Sequence, residues 1–213
     1  MATRKEIHDR VLNATCKEEL ATVYGEWAEE YDKDLVDEMG YVAPAIASQI
    51  LQGYVEDQHI RILDAGCGTG LVGADLHQNG YFNIEGFDYS EQMLERAKEK
   101  GVYTRLHQGD LTGILDLPKN SYDAIISVGT FTCGHVGPEA FDELIRITKP
   151  GGHLCFTVRD QAWEEDNYRI AMDKLEKSGA WKCLEEKSTD YIQQDGSSCK
   201  ACIYQKSIQA RVS

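Results

Sequence analysis

The stretch that most constrains the fold is a short apolar run leading directly into three closely spaced glycines. Residues 60–65 read Ile-Arg-Ile-Leu-Asp-Ala, a run that is too short for a helix and suits a buried strand. Gly66, Gly68 and Gly70 follow, and a helical pattern begins at Leu71. Glycine permits a positive φ and lets a ligand approach the backbone closely. This order of strand, glycine turn and helix predicts a nucleotide-like ligand at the helix N-terminus.

The glycine spacing narrows the class of ligand. A dinucleotide-binding turn follows the pattern Gly-x-Gly-x-x-Gly, which would put the third glycine at Leu71 rather than at Gly70. The chain also lacks the Gly-Lys-Ser/Thr of a phosphate-binding P-loop. These two departures disfavour a nicotinamide dinucleotide and a nucleoside triphosphate as the ligand of this turn.

Residues 63–70, Leu-Asp-Ala-Gly-Cys-Gly-Thr-Gly, resemble the first motif of the class I S-adenosylmethionine-dependent methyltransferases. Further marks of that family are Gly-Phe-Asp at 86–88, Gly-Asp-Leu at 109–111 and the Lys-Pro-Gly-Gly turn at 149–152. The resemblance extends over nearly the whole chain. It implies that S-adenosyl-L-methionine is the cofactor.

The resemblance also implies the fold. We expect an α/β fold in which a Rossmann-like sheet of seven strands is mostly parallel and closes with an antiparallel C-terminal hairpin. Helices should cover both faces of this sheet, and a helical cap should stand at the N-terminus. Residues 1–213 would form a single methyltransferase domain, with the cap at 1–40 and the Rossmann-like core at 41–213.

The hydrophobic pattern supplies the elements of such a fold. The predicted helices span 4–38, 44–55, 71–79, 90–100, 138–148 and 168–178. The predicted strands span 60–65, 82–88, 103–107, 121–128, 153–158, 181–192 and 201–208. The fourth strand should end at Gly129, and its carboxyl end should face the methionine part of the cofactor and the methyl acceptor.

Asp88 is predicted to lie beside the glycine turn. It ends the second strand 18 residues after Gly70, a distance that corresponds to one helix and one strand, and a second parallel strand would bring its carboxylate to the turn. A carboxylate there can accept hydrogen bonds from both ribose hydroxyls. The resemblance adds that Asp110 accepts from the adenine amino group and that the backbone N–H of Leu111 faces the adenine ring. The predicted cofactor-binding residues are Tyr24, Trp27, Tyr31, Asp64, Ala65, Gly66, Gly68, Gly70, Asp88, Tyr89, Met93, Asp110, Leu111, Val128 and Gly129.

Three aromatic residues mark the N-terminal segment. Tyr24, Trp27 and Tyr31 follow the spacing i, i+3, i+7 and would share one face of the helix predicted over 4–38. Two interpretations are open, because such a face can pack on the core or form a lid over the cofactor. The pattern Tyr-x-x-Trp-Ala-x-x-Tyr-Asp resembles the N-terminal cap of many small-molecule methyltransferases, which favours the lid.

The loop after the fourth strand bears on the methyl acceptor. The segment 127–130, Ser-Val-Gly-Thr, lacks the Asn/Asp-Pro-Pro-Tyr/Phe carried there by enzymes that methylate DNA bases and glutamine amides. It also lacks the Pro-Cys of cytosine C5 enzymes, so Cys133 is interpreted as a structural thiol. His135 is the candidate catalytic residue, because neutral imidazole can take the proton from a hydroxyl, thiol or ammonium as the methyl arrives. The alternative is a histidine that shapes the loop or hydrogen-bonds the substrate.

Charge and cysteine content bear on the possible partners. The chain has 36 acidic and 22 basic residues and a formal net charge of −14, which argues against nucleic acid but leaves small molecules and basic proteins open. Seven cysteines without a signal-like segment predict reduced thiols in a cytoplasmic protein, with access to the nucleus left open. Cys199 and Cys202 form a Cys-x-x-Cys with no second pair or spaced histidines nearby, so no metal site is expected. No apolar run approaches the length of a membrane span, so no membrane partner is expected.

The sequence therefore predicts an S-adenosylmethionine-dependent methyltransferase that acts on a small-molecule acceptor. The sulfonium methyl group is already activated, so the protein mainly has to align a nucleophile with it and exclude water. Two alternatives are a protein methyltransferase, whose acidic surface would dock basic tails, and a cofactor-binding protein that has lost catalysis and acts through a partner.

Overall fold

The computed structural model describes residues 7, 10, 11, 17–132 and 136–208. The helices of the described residues are α1 (Lys17–Trp27), α2 (Lys33–Glu38, a π-helical turn), α3 (Ala43–Tyr54), α4 (Leu71–Gln78), α5 (Glu91–Glu99), α6 (Ala140–Ile147), α7 (Asp160–Glu165) and α8 (Tyr168–Lys177). The strands are β1 (Ile62–Ala65), β2 (Ile84–Asp88), β3 (Arg105–Gln108), β4 (Tyr122–Phe131), β5 (Thr148–Arg159), β6 (Trp181–Ile192) and β7 (Ser197–Lys206).

The seven strands form one sheet in the order β3-β2-β1-β4-β5-β7-β6. β1 to β5 are parallel, whereas β7 runs antiparallel to both β5 and β6. The predicted fold class, a mostly parallel Rossmann-like sheet with an antiparallel C-terminal hairpin, is confirmed. The strand order changes direction between β1 and β4. In open α/β sheets, ligands bind at the carboxyl edge beside such a switch point.

Helices cover both faces of the sheet because the central strands are apolar on both sides. All four residues of β1 are buried, as expected for a strand in the middle of a parallel sheet. Ile62 packs into one core cluster with Ala47 and Leu51 of α3. Leu63, whose side chain points the opposite way, packs into a second cluster with Phe141 and Leu144 of α6.

The prediction of one continuous helix over 4–38 is wrong. α1 ends at Trp27, a turn follows at 28–30, and α2 begins at Lys33. The indole Nε1 of Trp27 donates to Asp34 Oδ2 at 2.8 Å across this break. Tertiary packing therefore overrides the helical pattern here. The short helix α7 was not predicted.

β4 extends beyond the predicted end near Val128. Its pairing with β5 is interrupted after Ser127 and resumes at Phe131, opposite Val158. This irregularity is a β-bulge that includes Gly129 at φ +77°. A second bulge lies on β5, because Tyr122 pairs with Thr148 and Ala124 with His153, so that the predicted turn at 149–152 loops out of the pairing.

The Cys-x-x-Cys pair is divided between the two faces of the sheet. Cys199 and Cys202 are both fully buried on β7, the first in the core cluster that contains Ile62 and the second in the cluster that contains Leu63. Their thiols therefore cannot share a metal ion or a disulfide. Across the described ranges, no group of three or more histidine, cysteine or acidic side chains could hold a metal ion. No helix in this part of the chain is both long and apolar enough to cross a bilayer.

Candidate active site

A cleft of about 850 Å³ opens at the carboxyl edge of the sheet, beside the switch point between β1 and β4. The residues that line it are Tyr24, Tyr31, Gly66, Gly68, Asp88, Tyr89, Ser90, Met93, Gly109, Asp110, Leu111, Val128, Gly129, Thr130 and Val136. Most of the residues predicted to bind the cofactor are in this set, and the four outside it are Trp27, Asp64, Ala65 and Gly70.

The glycine turn is fixed by backbone contacts between β1 and β2. The N–H groups of Gly66 and Cys67 both donate to the carbonyl of Phe87, at 2.7 and 3.0 Å. Gly66 has a φ of +78°, and a Cβ at this position would overlap Thr130 Oγ1. Any other residue would be strained and would also collide with β4, so the close approach of the turn to β4 requires glycine.

Asp88 lies beside this turn, as the spacing predicted. Its Oδ2 accepts from the N–H of Gly68 at 2.8 Å, and its Oδ1 accepts from the N–H of Ser90 at 2.9 Å. Burial raises the pKa of Asp88, while hydrogen bonds from the N–H groups of Ser90, Gly68 and Tyr89 act in the opposite direction. An ionised carboxylate offers about four lone-pair positions, so both oxygens can still accept from a ligand.

Asp64 lies behind the glycine turn and does not line the cleft. It is completely buried, and the hydroxyl of Tyr103 donates to its Oδ2 at 2.6 Å. Burial raises the pKa of Asp64 to about 7, although the hydrogen bond from Tyr103 partly offsets this. The same ring packs against Gly70, where a Cβ would come within 2.9 Å of it. Asp64, Gly70 and Tyr103 therefore support the turn from below.

The end of the cleft at Asp110 is also ordered by local contacts. Asp110 Oδ1 accepts from both the N–H and the hydroxyl of Thr112, each at 2.8 Å. Gly109 leaves no room for a side chain, because a Cβ there would lie 2.5 Å from the ring of Phe87. Leu111 is buried and forms part of the cleft wall. The predicted pair of Asp110 and Leu111 thus lies on one wall, next to the end of β2.

The cap contributes two of its three aromatic residues to the cleft. Tyr24 and Tyr31 line it, whereas Trp27 is 3% exposed and packs edge-on against Tyr31 with ring centres 4.8 Å apart. Trp27 therefore supports Tyr31. Asp32 ties the cap to the core, since it accepts from Lys100 Nζ at 2.5 Å and from the hydroxyl of Thr69.

Three further predicted residues, Ala65, Val128 and Gly129, lie at the carboxyl ends of β1 and β4. Val128 and Gly129 line the cleft, while Ala65 is buried and its carbonyl accepts from Ser127 Oγ at 2.7 Å. The candidate catalytic residue His135 lies outside the described residues, as does Cys133.

Sequence reasoning missed several cleft residues and one supporting residue. The missed cleft residues are Ser90, Gly109, Thr130 and Val136. Each of them adjoins a predicted site residue in the sequence. Ser90 also caps α5, where its Oγ accepts from the N–H of Met93. No local signal points to Tyr103, because its contact with Asp64 joins residues 39 apart in sequence.

Comparisons with known proteins agree with this geometry. Residues 62–152 match a family described as a methyltransferase domain. Methyltransferase-like protein 27 from Homo sapiens is 37% identical over 167 residues, which cover 76% of this chain and 67% of that protein. Malonyl-[acyl-carrier protein] O-methyltransferase from Pectobacterium atrosepticum is 36% identical over 114 residues, which cover 49% of this chain and 44% of that protein.

Solved structures share the fold at low sequence identity. The crystal structure of a proposed S-adenosyl-L-methionine-dependent methyltransferase from Methanococcus maripaludis has a TM-score of 0.66 and is 20% identical, with 90% of this chain and 95% of that chain covered. The cleft fits such a cofactor, because Gly66 admits no side chain and Asp88 and Asp110 present carboxylates along its wall. The chain therefore belongs to the class I S-adenosylmethionine-dependent methyltransferases, enzymes that bind S-adenosyl-L-methionine and transfer its methyl group to an acceptor.

Proposed function

We propose that this enzyme methylates a small-molecule acceptor within the cleft described above. The observation that carries the proposal is that Tyr24 and Tyr31 of the cap line the same cleft as Gly66 and Asp88 of the core. A cleft bounded from both sides leaves room for a small acceptor and little room for a folded polypeptide. Both walls would also keep water from the transferable methyl group.

In this proposal the core wall holds the cofactor. Asp88 would accept from the ribose hydroxyls, since it already stands 2.8 Å from the N–H of Gly68 at the glycine turn. Asp110 would accept from the adenine amino group, and the N–H of Leu111 would face the adenine ring. When bound, the cofactor supplies an activated sulfonium methyl group. The chain's own residues would then orient the acceptor and keep water out.

The division of the chain into a cap at 1–40 and a core at 41–213 belongs to this proposal. The contacts of Asp32 with Lys100 and Thr69 support it, because they join the cap to the core beside the glycine turn. We also propose a cytoplasmic location. The five described cysteines, all of which are free thiols, support a reducing compartment.

Two other functions remain candidates. The formal net charge of −14 is compatible with a protein methyltransferase that docks basic tails. The malonyl-[acyl-carrier protein] methyltransferases among the relatives combine the two classes, since their named substrate is a small acyl group on a carrier protein. A cofactor-binding protein without activity is less well supported, because the glycine turn and Asp88 are intact.

Transfer of a labelled methyl group separates these functions. The enzyme is incubated with methyl-labelled S-adenosyl-L-methionine and a cell extract, which is then fractionated by size. We expect label in small molecules. Label confined to protein would contradict the small-molecule proposal and favour the protein methyltransferase, whereas the absence of label in every fraction would favour the inactive binding protein.

His135 is proposed as the general base. The cap tyrosines are poor alternatives, because burial raises the pKa of Tyr24 and Tyr31 and keeps both hydroxyls protonated. His135→Ala should lower the turnover rate about 10²–10⁴-fold while affinity for the cofactor barely changes. The wild-type rate should fall below about pH 6.5 as the imidazole is protonated. Near-normal turnover of His135→Asn, with the acid limb of the pH profile intact, would remove His135 from the mechanism.

A further inference from the structure

One cation at the ligand-binding edge of the sheet forms no ion pair with any described residue. Arg159 is the last residue of β5, and it is half-buried. Three other described arginines are half-buried, and each forms an ion pair with glutamate: Arg61, Arg96 and Arg146. Arg159 instead places its guanidinium 5.3 Å from the ring centre of Tyr191. A partly desolvated guanidinium without a carboxylate partner favours binding of an anion.

The ring of Tyr191 lies beside this cation, and its hydroxyl is paired with that of Tyr41 behind the wall of the cleft. The hydroxyls of Tyr41 and Tyr191 are 3.4 Å apart. A Cβ on Gly129 would come within 2.6 Å of the Tyr41 hydroxyl and 3.2 Å of the Tyr191 hydroxyl. Gly129 itself lines the cleft at the end of β4. Both hydroxyls therefore stand directly behind the wall at the predicted acceptor end.

The charged group beside Tyr191 is a cation, whereas the charged groups on the cofactor-binding side of the cleft are anions. The charged side chains that line the cleft are the carboxylates Asp88 and Asp110. Burial raises the pKa of Tyr41 and Tyr191, so both remain neutral phenols that can donate hydrogen bonds. The positive charge of Arg159 acts on the hydroxyls of Tyr24 and Tyr191, since it partly offsets the effect of burial on the pKa of each. Guanidinium and phenol donors together match the acceptor oxygens of an oxyanion.

We propose that Arg159, with Tyr41 and Tyr191, binds an oxyanion group of the methyl acceptor, either a carboxylate or a phosphate. This inference rests on the proposed function, since it assumes that a small acceptor enters the cleft beside Gly129. Binding one end of the acceptor at a fixed point would hold its nucleophilic atom in line with the methyl group. Arg159 thereby acts as a positioning residue that selects acidic acceptors over neutral ones.

Fluorine NMR titration of small probes tests the inference. The probes are 4-fluorobenzoate, 4-fluorophenyl phosphate and the neutral 4-fluorobenzamide, each added with and without saturating S-adenosylhomocysteine. We expect at least one anion to bind about tenfold or more tightly than the amide, the ratio that one charge-assisted hydrogen bond of about 1.4 kcal/mol supplies. Preference for the benzoate or for the phenyl phosphate identifies the oxyanion.

Variants assign the preference to Arg159. Arg159→Gln should abolish the preference for an anion over the amide, and Arg159→Lys should retain part of this preference. Tyr191→Phe should weaken the preference severalfold. Arg169→Gln removes an exposed arginine from α8 and should leave it unchanged. Equal binding of benzoate, phenyl phosphate and amide by the wild type, or an undiminished preference in folded Arg159→Gln, would overturn the inference. Failure to bind S-adenosylhomocysteine is measured separately and would overturn the proposed function instead.

Discussion

The two sides of the cleft are stabilised by different kinds of contact. On the core side, backbone N–H groups make the critical contacts: Gly66 bonds to the Phe87 carbonyl at 2.7 Å and Gly68 to the Asp88 carboxylate at 2.8 Å. On the cap side, the contacts run through side chains, above all through Asp32 to Lys100 and Thr69.

We infer from this difference that the core wall is preformed and that the cap acts as a lid. Contacts of the core wall are fixed by the register of the parallel strands β1 and β2. The side chains of Lys100 and Asp32 are 23% and 38% exposed, so their ion pair is screened and contributes about 1 kcal/mol or less. The cap also buries Val23, Trp27 and Leu35 in the core cluster that contains Ile62, so its opening would expose apolar surface as well as break this ion pair. We therefore expect the wall to determine cofactor affinity and the cap to determine access.

Asp88→Ala should have the largest effect on cofactor binding. It removes an acceptor for the ribose hydroxyls and also releases the N–H of Gly68 from the turn. Charge-assisted hydrogen bonds of this kind contribute on the order of 2–4 kcal/mol, which corresponds to roughly thirtyfold or more in affinity for S-adenosylhomocysteine by calorimetry. Asp116→Ala removes an exposed acid and serves as the charge-matched control. An unchanged affinity in a folded Asp88→Ala protein would show that Asp88 only ends the strand.

The core wall was largely predictable from sequence, and its supports were not. The strand, the glycine turn and Asp88 follow from spacing within one continuous stretch, because a parallel unit returns its next strand end to the same edge. The role of Tyr103 depends on a contact with Asp64, and the pairing of Tyr41 with Tyr191 joins residues 150 apart. Such contacts arise from tertiary packing, which leaves no periodic signal in the chain.

Asp64 makes the stability of the folded protein depend on pH. The direction is opposite to that expected for an acid in a surface ion pair, which loses stability as the pH falls. Burial raises the pKa of Asp64 from 3.8 to about 7 in the folded state. Because the folded protein retains a proton that the unfolded chain releases, stability falls as pH rises from about 4 to about 7 and then levels off, by up to about 1.4 kcal/mol per pH unit. We expect the wild-type melting temperature to fall over this range.

Asp64→Asn isolates that contribution. The variant cannot ionise at this position, so the slope of melting temperature against pH between pH 5 and 7 should become flatter than in the wild type. Tyr103→Phe removes the hydrogen bond to Asp64 Oδ2 and should raise the pKa of Asp64 further, which moves the fall in stability to higher pH. Identical slopes in the wild type and Asp64→Asn would mean that Asp64 is ionised across the whole range.

The cap shows what periodicity can and cannot predict. The helix breaks at 28–30, yet Tyr24, Trp27 and Tyr31 still form one cluster, with ring centres 4.8 to 6.4 Å apart. Within this cluster Trp27 is buried behind Tyr31 and bonds to Asp34. Hydrophobic spacing alone cannot distinguish an aromatic residue that lines a cleft from one that supports its neighbour, because both are apolar and largely buried.

Asp32→Ala tests the role of the cap, and its effect should be the smallest among these variants. It removes the contacts with Lys100 and Thr69, which together contribute roughly 1 kcal/mol, so affinity for S-adenosylhomocysteine should fall about fivefold. If the cap governs access, most of this loss should appear as faster dissociation in stopped-flow tryptophan fluorescence, because an unlatched cap opens more often. Asp37→Ala removes an exposed acid from α2 and should change neither rate. A loss in Asp32→Ala as large as that in Asp88→Ala would contradict the distinction between wall and lid, since it would place the cap among the elements that fix the cofactor.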